Sequence, residues 1–273
     1  PPALPGLYLR AALRHGVKGR DLPSHGLRCQ VDVDPAQLVR YRQLCAFADS
    51  ALLPPTYPHI LAFALQMQLL TDPRFPFPLL GLVHLANRIR VIRPLAGLGP
   101  FSLSVHTENL RPHDKGAVFS LITRLHDQLG PLWEGDSQIL CRALKLDGAT
   151  VEREAQPALK LHEVASWQAP ANIGRRYARI AGDYNPIHLS TLSARLFGFP
   201  RAIAHGLWNK ARSLAALSEH LPDAGYSVEV RFQKPVLLPS TLWLQASEPA
   251  AQGQLSLTGK DQLAHMAGSW QLI

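Results

Sequence analysis

The chain repeats itself, and the repeat restricts its fold more than any other feature. Asp34-Pro35-Ala36-Gln37-Leu38-Val39-Arg40-Tyr41 in the first half resembles Ala169-Pro170-Ala171-Asn172-Ile173, followed by Arg176-Tyr177, in the second. Both read as helix starts with a proline in the first turn, where its missing N–H costs no intrahelical bond. Arg88-Ile89-Arg90-Val91-Ile92-Arg93-Pro94-Leu95 then matches Glu229-Val230-Arg231-Phe232-Gln233-Lys234-Pro235-Val236, two alternating strands that run into a basic residue and a proline. Asp127-Gln128-Leu129 recurs as Asp261-Gln262-Leu263. Three matches in one order, at nearly one spacing, mean duplicated domains, because a repeat this long is not a solenoid unit.

Each copy carries the same signals in the same order: a helix, a long central helix, then several long strands. That order implies an α+β architecture in which each sheet wraps around one helix. In the second copy the central helix is expected from about His205 to Leu221, with Leu207, Ala211, Leu214, Ala215 and Leu217 on one apolar stripe and Lys210 and Arg212 off it. Strands are expected over 226–236, 241–248, 254–259 and 265–272. The polar stretch 146–157 reads as a linker between an N-terminal domain, 1–147, and a C-terminal domain, 158–273.

The 273 residues, 47% hydrophobic and 18% charged, suffice for two such cores. The formal charge of +8 is spread along the chain with no run of Lys and Arg, which argues against a nucleic-acid stripe. Cys29, Cys45 and Cys141 are too few and too far apart for a disulfide framework or a zinc site, and they fit a reducing, cytoplasmic setting. The longest apolar stretch, Ile60-Leu61-Ala62-Phe63-Ala64-Leu65, is broken by Gln66 and Gln68, so no membrane span is expected. No basic-then-apolar pattern opens the chain, and its first residue, Pro, leaves a removed leader open.

The chemistry concentrates in Gly182-Asp183-Tyr184-Asn185-Pro186-Ile187-His188. A calcium loop is rejected, because His188 and Ala194 stand where Gly and Glu are required. A zinc site lacks ligands, His205 being the one close candidate. Two readings remain: a capping turn in which Asp183 and Asn185 bind backbone amides, or an acid–base centre in which carboxylate and imidazole share a water. Downstream, Arg201-Ala202-Ile203-Ala204-His205-Gly206 opens the central helix, whose first amides and positive dipole end are free for a ligand. Gly206 would let a ligand oxygen approach the backbone, as an oxyanion hole requires, although a plain strand-to-helix turn reads the same way. Gly97-Leu98-Gly99-Pro100-Phe101-Ser102 fails as a dinucleotide loop for want of its third glycine and a following helix, and no G-x-S-x-G or H-E-x-x-H occurs.

Tyr177-x-x-Ile180-x-Gly182-Asp183-x-Asn185-Pro186-Ile187-His188, then Ala194 and Ile203-Ala204-His205-Gly206, resembles the motif of the MaoC-type (R)-specific enoyl-CoA hydratases and 3-hydroxyacyl dehydratases. The resemblance implies a double hotdog fold and a cofactor-free hydro-lyase without a metal, acting on an acyl-CoA or acyl-carrier-protein thioester whose CoA or phosphopantetheine arm is the carrier. It implies that Asp183 and His188 activate one water for the 2,3 double bond, that Asn185 orients them, and that the Gly206 N–H polarises the thioester carbonyl. By the same resemblance Phe232 lies near the thioester arm and His205 contacts substrate. Arg201, Arg231 and Lys234 are candidates to attract the carrier's phosphates. The resemblance is compatible with a homodimer and offers no role for nucleic acid or membrane.

The first half resembles the family less closely. Val83-His84-Leu85-Ala86-Asn87-Arg88 is similar to the V-H-G-E-Q strand of eukaryotic double-hotdog hydratases, with Leu85 in place of Gly, and makes His84 either a substrate contact or a satisfied core histidine. The stretch from Tyr41 to His59 is shorter than that from Tyr177 to His205 and carries Leu53-Pro54-Pro55-Thr56-Tyr57-Pro58 in place of the acid, amide and imidazole. This half is therefore expected to be catalytically inactive. In the family such a loss opens room for a long acyl chain, and Phe75-Pro76-Phe77-Pro78-Leu79-Leu80 would line that tunnel or pack as a loop. Alternatives to the hydratase are a 3-hydroxyacyl-carrier-protein dehydratase and a non-catalytic acyl-thioester binding protein. The intact acid–base run argues against a thioesterase.

Overall fold

A computed structural model, described over residues 3–150, 157 and 159–273, lays down two halves that share a strand, a short helix, a longer helix and four further strands in that order. The first contains α1 (Leu4–Leu13), β1 (Leu27–Val31), α2 (Pro35–Cys45), α3 (Tyr57–Leu70), β2 (Leu82–Val91), β3 (Phe101–His113), β4 (Gly116–Asp127) and β5 (Gly130–Cys141). The second contains β6 (His162–Ala169), α4 (Ile173–Ala181), α5 (Thr191–Arg195), α6 (Gly206–Ala216), β7 (Tyr226–Phe232), β8 (Ser240–Ala246), β9 (Gln252–Thr258) and β10 (Ala264–Leu272). All ten strands join one sheet, ordered β1-β3-β4-β5-β2-β7-β10-β9-β8-β6. Counted inward from either edge, the order within a half is first, third, fourth, fifth, second. The duplication seen in the sequence is thus also a duplication of topology.

The halves meet where β2 pairs antiparallel with β7, from Ala86 opposite Arg231 to Val91 opposite Tyr226. Along β2, Ile89 and Val91 turn into the core while Arg88 and Arg90 turn out, the alternation expected of a sheet with one wet face. Helix α3 packs on β1, β3 and β4, and the core runs without a break through both halves. Among the described residues, no helix is long and apolar enough to cross a membrane.

Local chemistry explains where the elements begin. Asp34 caps α2, its carboxylate accepting from the Ala36 N–H at 2.9 Å, with Pro35 in the first turn. Helix α4 starts later than the proline predicts. Strand β6 stays paired with β8 as far as Ala169 opposite Ser240, so Pro170 sits in the connecting turn and its carbonyl accepts from the Ile173 N–H. The central helix α6 begins at Gly206 as expected but ends at Ala216, followed by a short 3-10 turn over Ser218–His220.

One expectation is corrected, and one open alternative is decided. Lys210, placed off the apolar stripe of α6, is fully buried. Its ammonium is met from the sheet rather than by solvent, donating to the Asn87 carbonyl at 2.9 Å, Asn87 Oδ1 at 2.6 Å and the Val228 carbonyl at 3.3 Å. It therefore ties α6 to both strands of the seam. Phe75 and Phe77 line no open tunnel: both are fully buried and pack with Phe119, with ring centroids 5.4–5.7 Å apart. The stretch read as a linker, 146–157, falls partly on 151–156, which lie outside the described residues, and its first part, 146–150, forms no helix or strand.

Candidate active site

The candidate site grows from the segment between α4 and α6. Helix α4 ends at Gly182, a left-handed C-cap (φ 79°) that turns the chain sharply so that Asp183 follows. Asn185 then caps a short 3-10 turn over Pro186–His188, its Oδ1 facing the Ile187 N–H at 3.4 Å. The capping reading was therefore correct as geometry, and the turn it builds presents Asp183 and His188 together. Asp183 Oδ1 accepts from the Asn185 N–H at 3.2 Å. Asp183 itself is partly exposed, whereas His188 is buried.

The protonation of His188 follows from its partner. Its Nδ1 lies 2.8 Å from the Ile203 carbonyl, which can only accept, so Nδ1 carries the hydrogen and Nε2 keeps a lone pair. Burial pushes its pKa below the ordinary histidine value, with Asp183 pulling the other way. A neutral imidazole with one free basic nitrogen results.

His205 is bound in the complementary sense. Its Nε2 donates to the Asp183 carbonyl at 3.0 Å and lies 3.7 Å from Asp183 Oδ2. Its ring stacks on His188, with centroids 3.6 Å apart and planes at 26°, and its other face meets Tyr177 at 4.8 Å. Burial holds its pKa well below the usual histidine range. At 3% exposure, His205 is seen to brace the Asp183 turn, while its buried Nδ1 has no hydrogen-bond partner.

Asp183, His188 and His205 bring one potential ligand atom each within 4.8 Å of one another, so they are the residues that would gather a metal. The fit is poor. One nitrogen of each ring is committed as a donor to a carbonyl, and the His205 Nε2 that lies 3.7 Å from Asp183 Oδ2 is one of them, so it has no lone pair to offer an ion. The same arrangement suits proton transfer.

Gly206 is the first residue of α6, and the amides of a first helical turn have no intrahelical acceptor. A Cβ there would come within 2.8–3.1 Å of the Phe232 ring, so the neighbouring side chain by itself disfavours anything larger than glycine. Phe232, at the end of β7, in turn meets the His84 ring edge-on at 5.1 Å. His84 and His59 bring the first half to the site. His59 feels the charge of Asp183, and burial pushes the two rings down to about 3 and about 4 respectively. His84 Nε2 is buried without a hydrogen-bond partner.

The basic candidates are more dispersed. Residues 202–204 run beside 236–238, through Ala204 N–H to the Val236 carbonyl and Leu238 N–H to the Ala202 carbonyl. Lys234 and Arg201, both exposed, stand toward opposite ends of this paired stretch. Arg231 is exposed and lies 4.0 Å from Glu229.

Sequence reasoning missed three contributors. Gly174, on α4, has the His188 carbonyl where its Cβ would be. Its signal was available: the matching position three residues before Tyr41 holds Leu38, so the repeat itself marks an unexplained small residue. His59 could have been flagged by its alignment with His205. Tyr8, which touches the Asp183 turn from α1, left no local signal at all.

Residues 151–255 match the model of the MaoC like domain. The chain is 35% identical over 230 residues to 3-hydroxyacyl-thioester dehydratase X of Mycobacterium tuberculosis, covering 84% of this chain and 81% of that one. It is 25% identical over 262 residues to the peroxisomal enoyl-CoA hydratase 2 of Arabidopsis thaliana, covering 86% and 82%. The crystal structure of HtdX of Mycobacterium tuberculosis superposes with a TM-score of 0.79 at 31% identity, over 91% of this chain and all of that one. A further Mycobacterium tuberculosis protein described as a double hotdog shares the fold, at a TM-score of 0.54 and 13% identity over 92% and 97% of the two chains. This chain is a double hotdog and belongs to the MaoC-like dehydratase family.

Proposed function

We propose that the protein is a hydro-lyase that adds water to a 2-enoyl thioester, giving the (3R)-3-hydroxyacyl thioester, and removes it in the reverse direction. The observation that carries this reading is the state of His188. The Ile203 carbonyl fixes its hydrogen on Nδ1, burial keeps it neutral, and the ring brings one nitrogen within 4.8 Å of a carboxylate oxygen of Asp183. A neutral base beside a carboxylate is what water activation needs.

In hydration, the Asp183–His188 pair holds one water. His188 Nε2 takes a proton as the water oxygen bonds to C3, and the double-bond electrons move onto the thioester carbonyl. The Asp183 carboxylate steadies the transient imidazolium. The first amide of α6, at Gly206, meets the charge that develops on that oxygen. The proton taken from water is returned to C2, so the pair ends as it began and dehydration runs through the same groups. Asn185 orients the pair through its N–H to Asp183 Oδ1.

We assign catalysis to residues 158–273 and acyl accommodation to 1–147, with Phe232 and His84 along the thioester path and Lys234 and Arg201 toward the carrier phosphates. His205 meets substrate, on this reading, through its unpartnered Nδ1. The three unpaired cysteines support a cytoplasmic setting.

The test follows loss of enoyl absorbance with crotonyl-CoA, longer enoyl-CoA esters and the matching carrier-protein thioesters. Asp183→Ala and His188→Ala should each slow turnover by roughly 10²–10⁴-fold. Unaltered rates in both variants would sink the reading.

A further inference from the structure

The first half, which lacks the catalytic segment, nevertheless reaches it with one side chain. The Tyr8 hydroxyl, on α1, donates to the Gly182 carbonyl at 2.7 Å and accepts from the Tyr184 N–H at 2.7 Å. These two groups belong to the peptide units on either side of Asp183. A single oxygen therefore holds both planes between which the Asp183 side chain is set. The Asp183 carbonyl is held separately by His205.

The surrounding contacts are built for this. The Tyr8 ring meets Tyr184 edge-on, with centroids 6.3 Å apart. Leu4, one turn earlier on α1, approaches within 2.6 Å of where a Gly182 Cβ would stand, and Phe63 of α3 within 3.2 Å. A left-handed glycine with no side chain is thus what lets α1 lie directly on the turn. At its other end, α1 is fastened to the first half by Arg14, which donates to the Asp72 carbonyl at 2.6 Å and the Pro73 carbonyl at 3.4 Å. Burial and the nearby Asp183 charge both raise the Tyr8 pKa, so the phenol stays protonated and can donate and accept at once.

We infer that Tyr8 is a positioning residue for Asp183, and that α1 belongs to the active site although it lies in the half without catalytic groups. This rests on the hydratase reading for its activity readout but not for its structural one. Removing the hydroxyl takes from the Tyr184 N–H and the Gly182 carbonyl their 2.7 Å partner and leaves them only their own longer contact of 3.2 Å across Asp183, while the ring contacts survive.

The experiment compares wild type, Tyr8→Phe and Leu9→Ala, the last being an exposed residue of the same helix. Enoyl-CoA hydration gives kcat and KM separately, and hydrogen–deuterium exchange follows the peptide spanning 182–188. The expected result in Tyr8→Phe is a fall in kcat of about tenfold with KM within about twofold, together with faster exchange confined to that peptide. Leu9→Ala should match wild type in both. Wild-type kcat or wild-type exchange in Tyr8→Phe overturns the inference, and so does faster exchange throughout the chain. A wild-type protein inactive on every enoyl thioester would sink the proposed activity instead, and the exchange comparison would still decide the clamp.

Discussion

The two halves share strand order and the tyrosines midway along α2 and α4, which meet as Tyr41 and Tyr177 with ring centroids 6.4 Å apart. They differ in what joins the short helix to the long one. Residues 46–56 pass directly from α2 to α3, and Tyr41 uses its hydroxyl on Thr56 at 2.7 Å. Residues 182–205 instead build the Asp183 turn, the His188 turn and α5 before α6 begins. The scaffold is common to both, and Asp183, Asn185 and His188 lie in the added segment. Even so, the first half has not become inert packing, because Tyr8 and His59 reach toward that segment and His84 meets Phe232 of β7.

The sharpest way to break the comparison is at Gly174 and Leu38, which occupy matching places on α4 and α2. Gly174→Ala puts a methyl group onto the His188 carbonyl, a backbone atom that moves only with its turn. Activity should fall by roughly 10²-fold, with a stability loss of about 1–3 kcal/mol. Leu38→Ala, measured by the same assay and by urea denaturation, should cost about 2–5 kcal/mol and leave the kcat of the folded fraction unchanged. Equal effects on kcat at the two positions would mean that the halves are not as divided in function as they are in sequence.

A second test uses pH. His59 and His84 are held neutral in the folded chain down to about 4 and about 3, against 6.5 ordinarily, burial being the main cause in both. Below pH 6.5 the unfolded chain takes up protons that the folded chain refuses, so stability should fall as pH drops from about 6.5 toward 4. His84→Gln should flatten that slope in denaturation midpoints measured at pH 7.5 and 5. Because burial also depresses His188, the acid limb of kcat/KM should lie below pH 6.5 in wild type and in this variant.

The smallest effect belongs to the exposed charge near the site. Lys234→Ala should raise KM for a CoA ester a few-fold at low ionic strength, with little change at high salt or with a truncated thioester that lacks the phosphates. An equal rise for the truncated substrate would remove Lys234 from the carrier's path.

Much of this was legible without coordinates. The repeat announced the strand and helix order, Asp34 and Pro35 announced α2, and the run from Gly182 to His188 holds the Asp183 and His188 that the fold gathers with His205. What was not legible depended on partners distant in sequence. Lys210 reads as a surface residue until the Asn87 and Val228 carbonyls are known to face it, because periodicity sees only one helix at a time. The proline before α4 reads as part of the helix because nothing local reveals that β6 is still paired at Ala169. Phe75 and Phe77 look like a channel lining or a core with equal ease, and Phe119 decided for the core. Tyr8 lies 174 positions from Gly182, beyond any local pattern.

The pairing of β2 with β7 has a consequence for how such a chain behaves when scarce. A sheet edge that must find its cover on a separate molecule is protected only while that molecule is abundant. Here the cover is tethered, so its effective concentration is set by the length of chain between the two strands and not by how much protein is present. The long sheet, and the histidines and the tyrosine that the first half lends to the other, therefore stay assembled on dilution.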